Sequence, residues 1–118
     1  MTPPEKHSHT VPGGRGYWLT ERLWAASRDL PVFQVAIADI PEFDRDCWFH
    51  GQAPSMRQVA GHMRRILAAD LAFPIIFSAA GGLMDGGHRI AKAWLEGRDR
   101  IDAVRFDTDP APDWIVPA

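Results

Sequence analysis

Apolar positions recur along the chain in short blocks whose spacing switches between two periods. Over Tyr17–Leu30, Trp18, Leu19, Leu23, Trp24 and Ala26 fall near helical spacing, with Thr20 as candidate N-cap and Pro31 as terminator. In Val32–Ile40 the apolar residues Phe33, Val35 and Ile37 alternate with smaller or polar ones, predicting a half-buried strand that Pro41 stops. Glu42–Gly51 (EFDRDCWFHG) has acids and aromatics without a period and is expected to be a loop or irregular extension. Ser55 opens the clearest helix, because Ser55 and Gln58 form a capping box: the hydroxyl accepts the Gln58 amide while the Gln58 side chain reaches back. Met56, Val59, Ala60, Met63, Ile66 and Leu67 make one apolar stripe on it, with Arg57, Arg64 and Arg65 away from the stripe's centre. That helix should end near Ala69 or Leu71. Pro74–Phe77 is a continuous apolar run of the kind buried on both faces, Ala79–Gly82 a turn, and Leu83-Met84 a second extended piece. Asp85-Gly86-Gly87 is a tight bend before a helix opening around His88. In that helix Ile90, Ala91, Trp94 and Leu95 share a face, and Gly97 stands where a helix-ending glycine belongs. Ile101–Phe106 alternates again as a closing strand. The tail, with Pro110, Pro112 and Pro117, is expected to be extended, with Trp114 and Ile115 pinned to the body. This order predicts an α+β fold, a small mixed sheet packed by helices.

A length of 118 residues suits one domain, placed at residues 17–118. Residues 1–16 (MTPPEKHSHTVPGGRG) are rich in Pro, Gly and polar side chains and are expected to form a flexible leader, with His7 and His9 a pair of little meaning. The net charge of −2 argues against a dedicated non-specific nucleic-acid binder. The single cysteine, Cys47, excludes an internal disulfide and a multi-cysteine zinc site and suits a reducing cytoplasm. No apolar run approaches the length of a membrane span, so no membrane partner is expected. Walker A, Rossmann, zinc and thiol-triad spacings are absent.

Chemistry concentrates in Leu83–Gly97 (LMDGGHRIAKAWLEG). Two glycines permit backbone angles closed to other residues, and a helix follows at once. The first amides of a helix lack internal acceptors and attract anions. His88 and Arg89 add donors at the same point, Arg89 as a fork suited to phosphate oxygens, and Lys92 lies near one flank. Asp85 could hold the turn or help organise a metal. The plainer alternative is a capped turn with His88, Arg89 and Lys92 solvated. Upstream, Glu42, Asp44 and Asp46 are either a solvated acidic loop or acids facing that turn. His62 reads as a boundary histidine, His50 as part of a packed aromatic turn, and Trp18, Trp24, Trp48 and Trp94 as core area.

Gly86-Gly87-His88-Arg89, after a strand and before a helix, resembles the G-x-[HR]-R turn of the ParB/sulfiredoxin superfamily, small α+β domains that bind nucleotides or phosphates at this bend. With Asp85 and the following Ile-Ala-Lys-Ala it is similar to the D-G-x-H-R-x-x-A version of free serine kinases and ParB-like nuclease domains, over about Val32–Phe106. The resemblance implies phosphate or nucleotide binding by Asp85, Gly86, Gly87, His88, Arg89 and Lys92. It also implies ATP, ADP or CTP with Mg²⁺ as cofactors, and Glu42 or Asp44 as base toward a substrate hydroxyl. The expected function is nucleotide-dependent phosphoryl transfer or nucleotide hydrolysis; a non-catalytic regulatory or protein-partner-binding module is the alternative, and a nuclease ranks lowest. Sulfiredoxins carry a cysteine where Gly87 stands, so sulfinic-acid repair is not expected. Chromosome-partitioning members add a helix-turn-helix domain that this sequence does not include, so autonomous DNA binding is not expected.

Overall fold

The computed structural model describes residues 5–118. Among these, seven strands and three α-helices run in the order β1 (Lys6–Val11), β2 (Gly14–Leu19), α1 (Thr20–Ser27), β3 (Phe33–Ala36), α2 (Met56–Ala68), β4 (Ile75–Phe77), β5 (Leu83–Asp85), α3 (Gly87–Leu95), β6 (Arg100–Arg105) and β7 (Trp114–Pro117). Tight 3₁₀ turns occupy Ile37–Asp39 and Pro41–Asp44. The strands form two sheets, ordered β1-β2-β7 and β3-β6-β4-β5. The chain is α+β, and from β3 onward the elements follow the predicted succession. Two compact units compose it. One joins the residues up to Pro31 to Ile76–Asp85 and Val104–Ala118; the other comprises Val32–Ile75 and Gly86–Ala103.

In the first unit, β1 and β2 pair antiparallel from Lys6↔Leu19 to Val11↔Gly14. A hairpin therefore occupies most of the segment expected to be a leader; Met1–Pro4 of that expectation lie outside the described residues. The Pro12-Gly13 pair turns the chain, with Gly13 at φ +91° as the third residue of a type II turn requires. Polar side chains masked the strand: His7, His9 and Val11 alternate with Ser8 and Thr10, and imidazoles take the places where aliphatic residues would signal a buried face. Strand β7 pairs with β2 on its other side, from Gly14↔Pro117 to Tyr17↔Trp114, and the Tyr17 and Trp114 rings stack at 5.2 Å. The tail is thus pinned, as its aromatic content predicted. Asp113 reinforces this by accepting the Leu19 amide at 2.8 Å and pairing with Arg22 at 2.7 Å. Leu19 occupies the N-cap position of α1, so Thr20 is its first residue and not its cap. Trp18, Leu23, Ile76, Met84, Val104 and Phe106 form the buried cluster of this unit.

His7 and His9 are not idle there. Their ring nitrogens meet at 2.8 Å, and Trp18 lies under both, its ring stacked 4.4 Å from that of His9. Burial, and then the neighbouring His9 and Arg15, lower the His7 pKa to about 4. An unfolded histidine titrates near 6.5, so the unfolded chain takes up the proton first, and this contribution to stability is intact above pH 6.5 and lost as pH falls toward 4. Thermal denaturation across that window is expected to show a loss on the order of 2 kcal/mol in the wild type and a smaller one in His7→Gln.

In the second unit, β3 and the start of β6 pair antiparallel from Phe33↔Ala103 to Ala36↔Arg100, and α2 packs on α3. Val32–Ile40 is a strand only to Ala36, after which the chain tightens into a 3₁₀ turn. The capping box of α2 is present, with Gln58 N–H donating to Ser55 Oγ at 3.1 Å and Ser55 N–H to Gln58 Oε1 at 2.8 Å. The stripe of α2 departs from expectation. Only Ile66 is buried; Met56 is 87% exposed, Leu67 67%, Val59 49% and Met63 44%. The face of α3 shifts likewise: Arg89, Ile90 and Ala93 are buried, whereas Trp94 and Leu95 are exposed. Gly97 ends α3 as predicted, at φ +79°, with Gly97 N–H donating to Trp94 and Arg98 N–H to Ala93 in a Schellman motif.

Candidate functional site

The second unit carries every candidate residue except Asp85. Gly86 is the N-cap of α3 at φ +123° and, as a glycine, brings no side chain of its own to cap the helix. A Cβ at Gly86 would collide with the Ile75 side chain and stand 3.1 Å from Nη2 of Arg89. The glycine is therefore obligatory, and the Arg89 guanidinium folds back over the corner it makes. Arg89 is only 8% exposed. The first bond inside α3 runs from Ile90 N–H to the Gly86 carbonyl at 3.0 Å, so the amides of residues 87–89 have no acceptor within the helix.

An aromatic wall closes one side of this helix start. The Trp48 indole lies against Gly87, its Nε1 3.4 Å from where a Cβ would sit. The same indole stacks on His88 at 4.6 Å and 7° and on His62 at 4.5 Å and 11°. His62 Nδ1 and His88 Nε2 meet at 2.8 Å with the two rings nearly parallel. Burial, with the Arg65 charge second, lowers the His62 pKa. His62 thus favours the neutral form, in which one ring nitrogen donates and the other accepts. His88 accordingly faces a histidine and an indole. Phe49 packs edge-on to His62 at 5.2 Å, and a cavity of about 220 Å³ is lined by Trp48, Phe49, His50, Gln52, Ala53 and Gln58.

Asp46 explains how a loop holds Trp48 so firmly. Its carboxylate accepts the amides of Trp48 at 3.0 Å, Phe49 at 2.7 Å and Gly51 at 2.6 Å, while His50 and Gly51 adopt positive φ to bring the chain round. These amide bonds hold the Asp46 carboxyl below its ordinary pKa. The stabilisation is complete above the ordinary carboxylate range and disappears as pH falls through the lowered value. In Asp46→Ala, hydrogen exchange of the Phe49 and Gly51 amides is expected to accelerate by roughly an order of magnitude at neutral pH. Unchanged exchange would show that the turn is held by other means.

The remaining candidates divide. Glu42 lies in the Pro41–Asp44 turn, which packs on α3 through Phe43 and Trp94, and its Oε1 is buried; Asp44 is exposed at the end of the same turn. Lys92 is engaged elsewhere: its ammonium donates to the Leu67 carbonyl at 3.1 Å and the Ala69 carbonyl at 2.6 Å, closing the negative end of the α2 dipole. In that position it acts as a structural cation that ties α3 to the end of α2. Asp85 belongs to the first unit, where Oδ2 accepts the Trp24 indole N–H at 2.7 Å. Asp70 fixes the turn after α2 by accepting the Ala72 amide at 2.9 Å. Among the described residues no three His, Cys, Asp or Glu side chains converge as a metal cage. No helix of the described residues is long and apolar enough to cross a membrane.

The pairing of His62 with His88 and the Trp48 wall escape sequence reasoning. The partners are far apart in the chain, and only the position of His62 at the edge of the α2 stripe hints at it. No protein-family model matches this sequence, and no curated protein or solved structure matches it.

Proposed function

We propose that the start of α3 binds the phosphate group of a small molecule, with a nucleotide the favoured class, in the manner of ParB/sulfiredoxin-like domains. The observation that carries this is the donor-rich corner itself: a helix start whose N-cap is a glycine, the Arg89 guanidinium folded over it and the Trp48 indole N–H beside it. Amides at a helix start and a guanidinium fork both suit phosphate oxygens, and the indole adds a donor that cannot accept. Trp48 and Phe49 also line the neighbouring cavity, which offers aromatic faces to a base.

Glu42 is the better of the two proposed bases, because its turn packs on α3 and holds one carboxylate oxygen out of water, whereas Asp44 is exposed. Mg²⁺ enters only as the companion of a nucleotide's phosphates, since the described residues supply no cage of their own. Isothermal titration of ATP, ADP, CTP and inorganic phosphate, each with Mg²⁺, tests the proposal. Saturable binding of at least one nucleotide, tighter than that of phosphate, is expected. No heat at millimolar concentrations of all four would overturn it. Release of inorganic phosphate, or transfer to a hydroxyl-bearing acceptor, separates an enzyme from a binding module.

A further inference from the structure

The second unit presents an apolar ridge that nothing in the described chain covers. Along α2, Met56, Ala60, Met63 and Leu67 project on one side and all are exposed, Met56 and Leu67 by 87% and 67%. Their spacing of four, three and four residues is that of a seam meant for another helix. Sustained exposure of large apolar side chains in one row marks an interaction surface more often than chance, and methionines suit surfaces that adapt to a partner. The ridge has a charged border. At 100° per residue, Arg57 and Arg64 lie one above the other beside it, both exposed, while the opposite border turns inward through Ile66. The helix contains three arginines and no carboxylate.

From this we infer that the α2 ridge docks an acidic amphipathic helix, whose apolar stripe covers Met56, Met63 and Leu67 and whose carboxylates run along Arg57 and Arg64. Charge decides between occupants. A second α2 would bring only arginines to the seam, with no carboxylate to offset them. A lipid surface suits a helix with cations on both borders and bulky aromatics on the apolar face, and α2 has neither. One basic border beside one apolar row matches one edge of an acidic helix. The 13 residues of α2 give a track of roughly 20 Å, enough for three turns of a partner.

The test is selection of a random 16-residue peptide display library on the full chain. Enriched sequences are expected to carry apolar residues at helical spacing with Asp or Glu on one flank. Synthetic copies are expected to lose at least tenfold in affinity for Met63→Glu, and to lose affinity for the Arg57→Glu/Arg64→Glu double variant, which should instead prefer a lysine-substituted copy. These substitutions lie at exposed positions, so circular dichroism should show intact folding. The inference is overturned by the absence of enriched peptides, by enriched peptides without acids, or by binding that Met63→Glu leaves unchanged. It is equally overturned if sedimentation equilibrium shows a dimer that Met63→Glu dissociates, or if the chain co-sediments with phosphatidylserine/phosphatidylcholine vesicles through this face.

Discussion

Gly86→Ala is expected to lower the stability of the protein by about 2–4 kcal/mol and to abolish anion binding at the start of α3. Two effects combine. At φ +123° any side chain is strained, and the new Cβ would overlap Ile75, a fully buried residue with no room to withdraw. The control is Gly97→Ala. Gly97 also has positive φ, but nothing lies within 4 Å of its would-be Cβ, so only the conformational strain of about 1 kcal/mol applies. Chemical denaturation of both variants separates the terms. Equal losses would mean that the close approach to Ile75 does not constrain the corner.

Arg89→Lys is expected to weaken nucleotide binding roughly 10- to 100-fold while the protein stays folded. The positive charge remains, but the planar fork that matches phosphate oxygens is gone. Lysine is chosen because Arg89 is buried, and truncating it would confuse lost binding with lost folding. The complementary variant is Lys92→Met. Its ammonium is held by the carbonyls ending α2, so that substitution should fray α2 and leave nucleotide affinity within about threefold of wild type. If Lys92→Met weakened binding as much as Arg89→Lys, the division between ligand-binding and structural cations would be wrong.

What the sequence disclosed, and what it hid, follows from the range of each interaction. Local signals held: the Ser55–Gln58 box, the buried Ile75–Phe77 strand and the Gly97 helix end each depend on residues within a few positions of one another. The N-terminal hairpin was hidden because its inward face uses His7 and His9, which score as polar yet pack on Trp18. The stripe of α2 was legible, but periodicity reports that a helix has an apolar side and not whether the chain itself covers it; Met56 and Leu67 remain exposed. At the candidate site, Gly86 and Arg89 came from a local pattern. Lys92 shares that pattern, yet its role is set by the end of a different helix, and the stack of Trp48, His62 and His88 joins three separate segments. Asp46 illustrates the same point: an acid in an acidic loop looks catalytic or solvated, while its actual work is to hold three amides.

The most direct measurement is an amide-resolved ¹H–¹⁵N titration of the protein with ATP and, separately, with inorganic phosphate. The amides of Gly87 and His88 and the indole N–H of Trp48 should move together and saturate at a common concentration, with ATP also shifting Phe49. Resonances that stay fixed at these positions, while others shift or none do, would contradict a phosphate site at the beginning of α3.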